Sequence, residues 1–463
     1  MEKIMIWLFL GIMSVLSALS CDKPSKEGEE VIGLTFNESN INMNAGEKHL
    51  VKFSAGNTKM SPLELTWSSS DERVAVVTNV GEVNAIAPGT ATIKAAYQSF
   101  EAICEIQIAE VDYSGPLNLT ALSQPFSEAL PYSVNAALIA PFRVMQSFDF
   151  DKLGNIYYSQ IGVAAGFEQG RTKAHELYII KSKPNMPGNS DYMTLTYFGH
   201  GGNIAVEEDD NGELYVWVGS NGTKYTSGEY WDEQSVSRIP YRAGQVHEGY
   251  GGDSYFLNNG LLRIQAAVDK KSDLLCINAT EGGVRYFYTY KLSEAKALGI
   301  KDFTFSVKVG GEETGGVEQI MSRTVQGRDL SELSPLGNFA VPVGANRSVD
   351  VNSFPFQGYD IDGSGHIYFF EGNWTETTST NGLSQAFVTV FDLQGNIALP
   401  RARVVAISDI DRLMQGGVTN SMGYMEGEGI KIKGNQVYLG FASYQESENY
   451  RRANIFKYDG RRN

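Results

Sequence analysis

The sequence predicts an all-β chain, a small Ig-like β-sandwich followed by a five-bladed β-propeller. Three observations carry this. The 463 residues include 49 glycines, 24 tyrosines and 23 phenylalanines without collagen spacing, which reads as many short strands joined by tight turns. Apolar residues alternate with a period of two between residues 31 and 111. Beyond residue 141 a strand–turn–strand phrase returns five times.

The N-terminus reads as an address. Lys3 precedes an apolar run from Ile4 to Leu19, too short for a comfortable membrane span, which ends in Ala18-Leu19-Ser20-Cys21. That ending resembles the lipobox of bacterial lipoproteins, with the leucine one place nearer the cysteine than the commonest pattern. The resemblance implies a signal peptide over residues 1–20, lipidation of Cys21 and a polar tether over 21–30. An uncleaved anchor, or cleavage nearby that leaves a free cysteine, is the alternative. The expected location is therefore the cell envelope, at the outer membrane, with the lipid as the one membrane contact. A net charge of −16 argues against nucleic acid as a partner, because binding phosphate needs clustered Lys and Arg. Cys104 and Cys276 fall on apolar strand patterns and read as small core residues.

Between residues 31 and 111, Leu63, Leu65 and Trp67 are expected on one strand face and Ala91, Ile93 and Ala95 on another, with Pro88-Gly89 turning between neighbours. The phrases Leu65-Thr66-Trp67-Ser68-Ser69-Ser70-Asp71 and Ala87-Pro88-Gly89-Thr90-Ala91-Thr92-Ile93 closely resemble the bacterial Ig-like domain of group 2 (Big2). That resemblance implies a stalk that acts as a spacer. Residues 112–140 read as a linker.

The repeat is clearest in Gln146-Ser147-Phe148-Asp149-Phe150-Asp151 with Gly154-Asn155-Ile156, and in Gln357-Gly358-Tyr359-Asp360-Ile361-Asp362 with Gly365-His366-Ile367. Looser copies start near Ile204, Ile264 and Gly423. Each unit reads as an antiparallel meander with two apolar faces, so the units must stack about an axis, over residues 141–463. The longest insertion, about residues 299–351, lies between the third and fourth copies and is expected as a loop excursion. Ser293 to Leu298 is a short helical candidate. Gln146-Ser147-Phe148-Asp149, Phe198-Gly199-His200-Gly201, Ile204-Ala205-Val206-Glu207 and Leu214-Tyr215-Val216-Trp217 look like the propeller of teichoic acid biosynthesis protein C, helveticin J-like proteins and certain phage receptor-binding proteins. The resemblance implies recognition of a cell-surface glycan, although an acidic chain is poorly matched to a polyanionic teichoic acid.

Candidate chemistry follows from these positions. Asp360, Asp362 and Ser364 open like a calcium loop, with Glu371 at the twelfth place, but an Asp/Gly hairpin turn explains the same letters. No cofactor is expected otherwise. No GxSxG, HExxH or paired CxxC occurs. Glu207, Glu248, Asp360 and Glu371 are the carboxylates available for a glycosidase pair. Gln146, His200, Glu207, Trp217, Gln357 and Trp374 are the expected ligand-binding residues, since sugars are held by aromatic faces and bidentate polar side chains. Tyr157, Tyr230, Trp231, Tyr250 and Tyr359 are further aromatics for that role. The expected function is non-catalytic binding of a glycan or cell-surface polymer. The alternatives are a glycan-cleaving enzyme and a protein–protein adhesin.

Overall fold

The structure, a computed structural model, describes residues 33–111, 115–124, 143–161, 176–183, 186–226, 229–248, 253–257, 260–309, 319–373, 384–415, 418, 425–445 and 450–460. Cys21 and Trp374 lie outside them. Among the described residues the chain is all-β, with two short α-helices at Leu292–Ala297 and Ile410–Gln415.

The N-terminal unit is a sandwich. Asn40–Asn44, Phe100–Ala109, Gly89–Tyr97 and Thr66–Ser69 form one sheet in that order, and Lys48–Leu50, Glu82–Ala85 and Ala75–Val77 form another. Alternation produces the core: from Ala102 to Ala109, buried and exposed residues take turns, and Ala91, Ile93, Cys104 and Ile106 meet inside. Trp67 stacks on Phe36 with ring centres 5.7 Å apart and donates its indole N–H to Pro62 O at 3.0 Å. Gly81 lies under that ring at φ +81°, where an added Cβ would sit 2.7 Å from the indole. Leu63 departs from expectation. Ser61 and Pro62 start a 3-10 turn over Pro62–Glu64, so Leu63 is 50% exposed and the strand begins only at Thr66.

The larger part contains five sheets, each opening with one copy of the repeat. The opening strands are Met145–Phe150, Ile204–Glu208, Leu262–Asp269, Phe356–Ile361 and Met425–Lys433, here called the inner strands. Each continues antiparallel into a second and third strand. The inner strands are neighbours in chain order, and the fifth also lies against the first.

One turn chemistry recurs. Asp151, Asp209, Asp362 and Asp392 each accept from the backbone N–H groups two and four residues on. Each is followed three residues later by glycine at φ between +81° and +86°. The carboxylate satisfies two N–H groups that the turn would leave open, and the left-handed residue matches strand twist, so Asp-x-x-Gly is a physical signature of the hairpin.

Two segments behave differently from the sequence expectation. The long insertion is not a loop excursion: Ile300–Val309 and Gln319–Asp329 form a hairpin that joins the second sheet, and Gly337–Val341 becomes the fourth strand of the third. The supposed linker is packed where it is described. Leu117, Leu119 and Leu122 are buried in the core of the fourth and fifth sheets, and Leu117 N–H donates to the Tyr368 hydroxyl at 2.8 Å. Both cysteines are buried and unpaired; burial pushes their thiols up, Cys104 to about 11 and Cys276 to about 12.

Candidate functional site

The place where the five inner strands meet has three levels. At mid-height it is filled. Asn203, fully buried, accepts from Tyr359 N–H at 3.3 Å and donates to Ala266 O at 2.8 Å, so one amide joins the second, third and fourth inner strands. Ser147 Oγ accepts from Ile204 N–H at 3.1 Å. Gly358 and Gly429 have φ of +124° and +115°, and a Cβ on Gly358 would stand 3.2 Å from Gly429 Cα. Only glycine permits both that backbone and that approach.

At the end where the inner strands finish, the groups are charged, and the two carboxylates bond the neighbouring strands. Asp149 Oδ1 pairs with Lys433 Nζ at 2.7 Å, and Oδ2 accepts from Val206 N–H at 2.7 Å. Asp360 accepts from Ile432 N–H at 2.7 Å, with Lys431 Nζ 3.6 Å away. Burial pushes the Asp360 carboxyl up to about 6, against the pull of Lys431. The sandwich covers this end. The Gln436 side chain bonds both Lys48 N–H and Lys48 O, at 3.0 and 3.1 Å, and the Lys48 ammonium stands 3.8 Å over the Phe150 ring. A cavity of about 290 Å³ remains between them, lined by Lys48 and Asn84 on one side and Phe150, Val206, Val268, Ile361 and Ile432 on the other. Those last five come one from each inner strand, so all five strands point the same way.

At the opposite end, where the strands begin, three inner strands carry glutamine amides. Gln146, Gln265 and Gln357 hold the same place in three sheets. Each precedes the residue paired with the second strand at Ser147–Ser159, Ala266–Ile277 or Gly358–Phe370. In the first and fourth sheets the glutamine is the bulged residue, and Glu428 lies in the bulge of the fifth. All three glutamines are half-buried. Gln357 Nε2 donates to Gly372 O at 3.2 Å, whereas Gln265 Oε1 is buried with no hydrogen-bond partner among the described residues. The position of a Cβ on Gly202 is 3.4 Å from Gln265 Nε2, which brings the His200–Asn203 stretch against this end. His200 is half-buried there, its N–H donating to Glu233 at 2.9 Å.

The structure separates the remaining expected residues from this group. Trp217 and Glu207 are core residues rather than ligand contacts. Glu207 is 1% exposed and accepts from Trp217 Nε1 at 2.8 Å, Arg238 Nε at 2.8 Å and Lys296 Nζ at 2.7 Å. Burial raises its carboxyl, and the bonds from Arg238 and Lys296 more than offset that, leaving it below its usual range. Tyr157 and Tyr359 are fully buried; Tyr250 and the side chains of Tyr230, Trp231 and Glu248 lie outside the described residues. Asp360, Asp362 and Ser364 are not one ligand set. Asp362 holds its own hairpin through Ser364 and His366, Asp360 serves the fifth sheet, and Glu371 accepts from Arg401 at 2.7 Å and Phe354 N–H at 3.1 Å. Burial raises the Glu371 carboxyl. Sequence reasoning missed Gln265, which the third copy of the repeat places beside Gln146 and Gln357, and Gln436, for which no local signal exists.

Comparison with known proteins bears on the sandwich. Residues 50–106 match the bacterial Ig-like domain, group 2. The chain carries a Big2 domain. No curated protein is significantly similar in sequence. Among solved structures, domains 5–6 of the S-layer protein SbsC match with 12% identity over 65% of this chain and 98% of that one, at TM-score 0.16. A Penicillium chrysogenum alpha-L-arabinanase matches with 9% identity over 73% and 98% at 0.28, and a polysaccharide lyase with 9% over 76% and 98% at 0.29. At these identities and TM-scores the likenesses transfer nothing to this chain. Beyond the Big2 domain, only its own geometry speaks. No helix among the described residues is long and apolar enough to cross a membrane.

Proposed function

We propose that the five sheets are the blades of one five-bladed propeller, that the propeller binds a glycan without cleaving it, and that the binding end is the one where the inner strands begin. One observation carries this reading: three half-buried glutamine amides from three different inner strands gather at the end that the Big2 domain leaves uncovered. A carboxamide offers a donor and an acceptor on one rigid plane, which suits the vicinal hydroxyls of a sugar. Cleavage is less well supported. Glu207, Asp360 and Glu371 are each engaged by internal partners, which leaves none of them free for the acid–base work of a glycosidase pair. Together with the lipobox-like Cys21 and the teichoic acid biosynthesis protein C-like phrases, the reading is a lipid-anchored surface protein of the cell envelope. In it the Big2 domain is a seat for the propeller rather than a loose spacer.

Presenting the full chain to an array of bacterial and host polysaccharides tests this. The wild-type chain binds a subset, and Gln146→Ala/Gln357→Ala loses about tenfold or more in affinity, which corresponds to about 1.4 kcal/mol, with an unchanged unfolding midpoint. Absence of binding to every polysaccharide contradicts the reading.

A further inference from the structure

Arg285 lacks the carboxylate that other buried cations of this acidic chain have nearby. Arg238, Arg401, Lys433 and Lys296 each meet one within 2.8 Å, and Lys48 and Lys431 stand 3.7 and 3.6 Å from Glu82 and Asp360. Arg285 meets none among the described residues. Its guanidinium lies 3.5 Å over the Phe356 ring and donates one N–H to Asn278 Oδ1. The residue is half-buried, so part of it still meets solvent. Burial pulls its pKa down to about 9, and the neighbouring charge of Arg263 pulls the same way. The fork is thus desolvated, held in one plane by stacking and short of an anion. Leaving a cation in that state costs free energy unless a partner arrives.

Its position is the second observation. Phe356 directly precedes Gln357, and Asn278 is the cross-strand partner of Gln265. Arg285 therefore belongs to the glutamine end, between the third and fourth sheets. Gln265 Oε1, a buried acceptor without a donor among the described residues, is in the same neighbourhood. A planar guanidinium with open N–H groups matches a carboxylate through two parallel hydrogen bonds, and the adjacent amides match the hydroxyls flanking it.

We propose that Arg285 reads a sugar carboxylate, so that the ligand is a uronic-acid-containing polysaccharide. This rests on the glycan-binding reading above. The carboxylate supplies the missing counter-anion, while Gln265 and Gln357 take ring hydroxyls. The net charge of −16 gives a uronate no long-range attraction, so binding depends on the short-range contact of its carboxylate with the fork.

The test titrates the full chain with three probes: oligogalacturonate, oligoguluronate and carboxyl-reduced oligogalacturonate. Wild-type protein binds at least one of the two uronates and binds the reduced probe about thirtyfold or more weakly. Arg285→Met abolishes that discrimination, and Arg285→Lys, which keeps the charge but loses the fork, retains only part of it. Unfolding midpoints close to wild type establish that both variants are folded; should Arg285→Met not fold, Arg285→Lys alone decides. Equal binding of carboxylated and reduced probes, or an Arg285→Lys that discriminates as wild type does, overturns the inference and leaves glycan binding standing. Binding of none of the probes also overturns it. If the polysaccharide array is silent as well, the glycan reading falls with it.

Discussion

The two ends of the inner strands use polar side chains in opposite ways. At the covered end Asp149 and Asp360 bond backbone N–H groups of the neighbouring strand, and Lys433 and Lys431 neutralise them. An inner strand has a free edge, and those N–H groups would otherwise be buried without partners. Among the described residues at the open end, Gln265 Oε1 has no hydrogen bond, Arg285 meets no carboxylate, and Gln146 makes no side-chain hydrogen bond. Polarity alone does not mark a site. What separates the two ends is the kind of group: carboxylates bonded to N–H groups of the neighbouring strand at the covered end, where Lys48 Nζ, Lys431 Nζ and the Asn84 amide still lack hydrogen bonds among the described residues, and glutamine amides beside Arg285 at the open one.

Perturbing the engaged groups should cost stability, and perturbing the open ones should cost binding. The largest stability effect is expected from Glu207→Ala, which takes the shared carboxylate away from buried Arg238 of the second sheet and from Lys296 on the helix Leu292–Ala297. Urea unfolding should show a loss of about 3–5 kcal/mol, and a loss below 1 kcal/mol would mean that water replaces the carboxylate there. Asp149→Ala comes next, at about 2–4 kcal/mol, because it leaves Lys433 and Val206 N–H unpaired together.

Asp360 adds a pH dependence whose sign is fixed by its raised carboxyl. With a folded value of about 6 against an ordinary 3.8, the folded chain holds a proton that the unfolded chain releases. The group favours folding at low pH and loses that contribution as pH rises from 3.8 to about 6. Asp360→Asn should flatten this slope in urea midpoints taken across the window, and an identical slope in the variant would assign it to other groups. Gln436→Ala removes both side-chain bonds to the Lys48 backbone, for about 1–2 kcal/mol at the joint. Limited proteolysis should then release the Big2 domain faster than from wild type. The smallest stability effect, within about 0.5 kcal/mol, is expected from Gln146→Ala/Gln357→Ala, the pair whose loss should matter most for binding.

Much of this architecture was legible in the sequence, because it depends on local chemistry. Asp-x-x-Gly turns announce themselves: a carboxylate two and four residues before its N–H partners and a glycine at positive φ are spelled out in consecutive letters. The Big2 phrases sit on alternating strands for the same reason. The residues that misled are those whose partners are remote. Glu207 resembled a site carboxylate because Arg238 and Lys296 lie 31 and 89 positions away, and Gln436 meets Lys48 across 388. Trp217 read as a sugar platform, yet the bond to Glu207 that buries it is invisible without the fold. The bulges at Gln146 and Gln357 are a matter of strand register, which sequence alternation leaves open.

The central claim is that ligand binds where the inner strands begin and not where they end under the Big2 domain. Hydrogen exchange on the full chain, with and without the polysaccharide bound most tightly on the array, tests it directly. The account predicts slowed exchange confined to peptides covering Gln146, Gln265, Arg285 and Gln357, with none at Asp151, Asp362 or Gly434. Protection at those three turn-end positions, or binding without protection at the glutamine end, would contradict it.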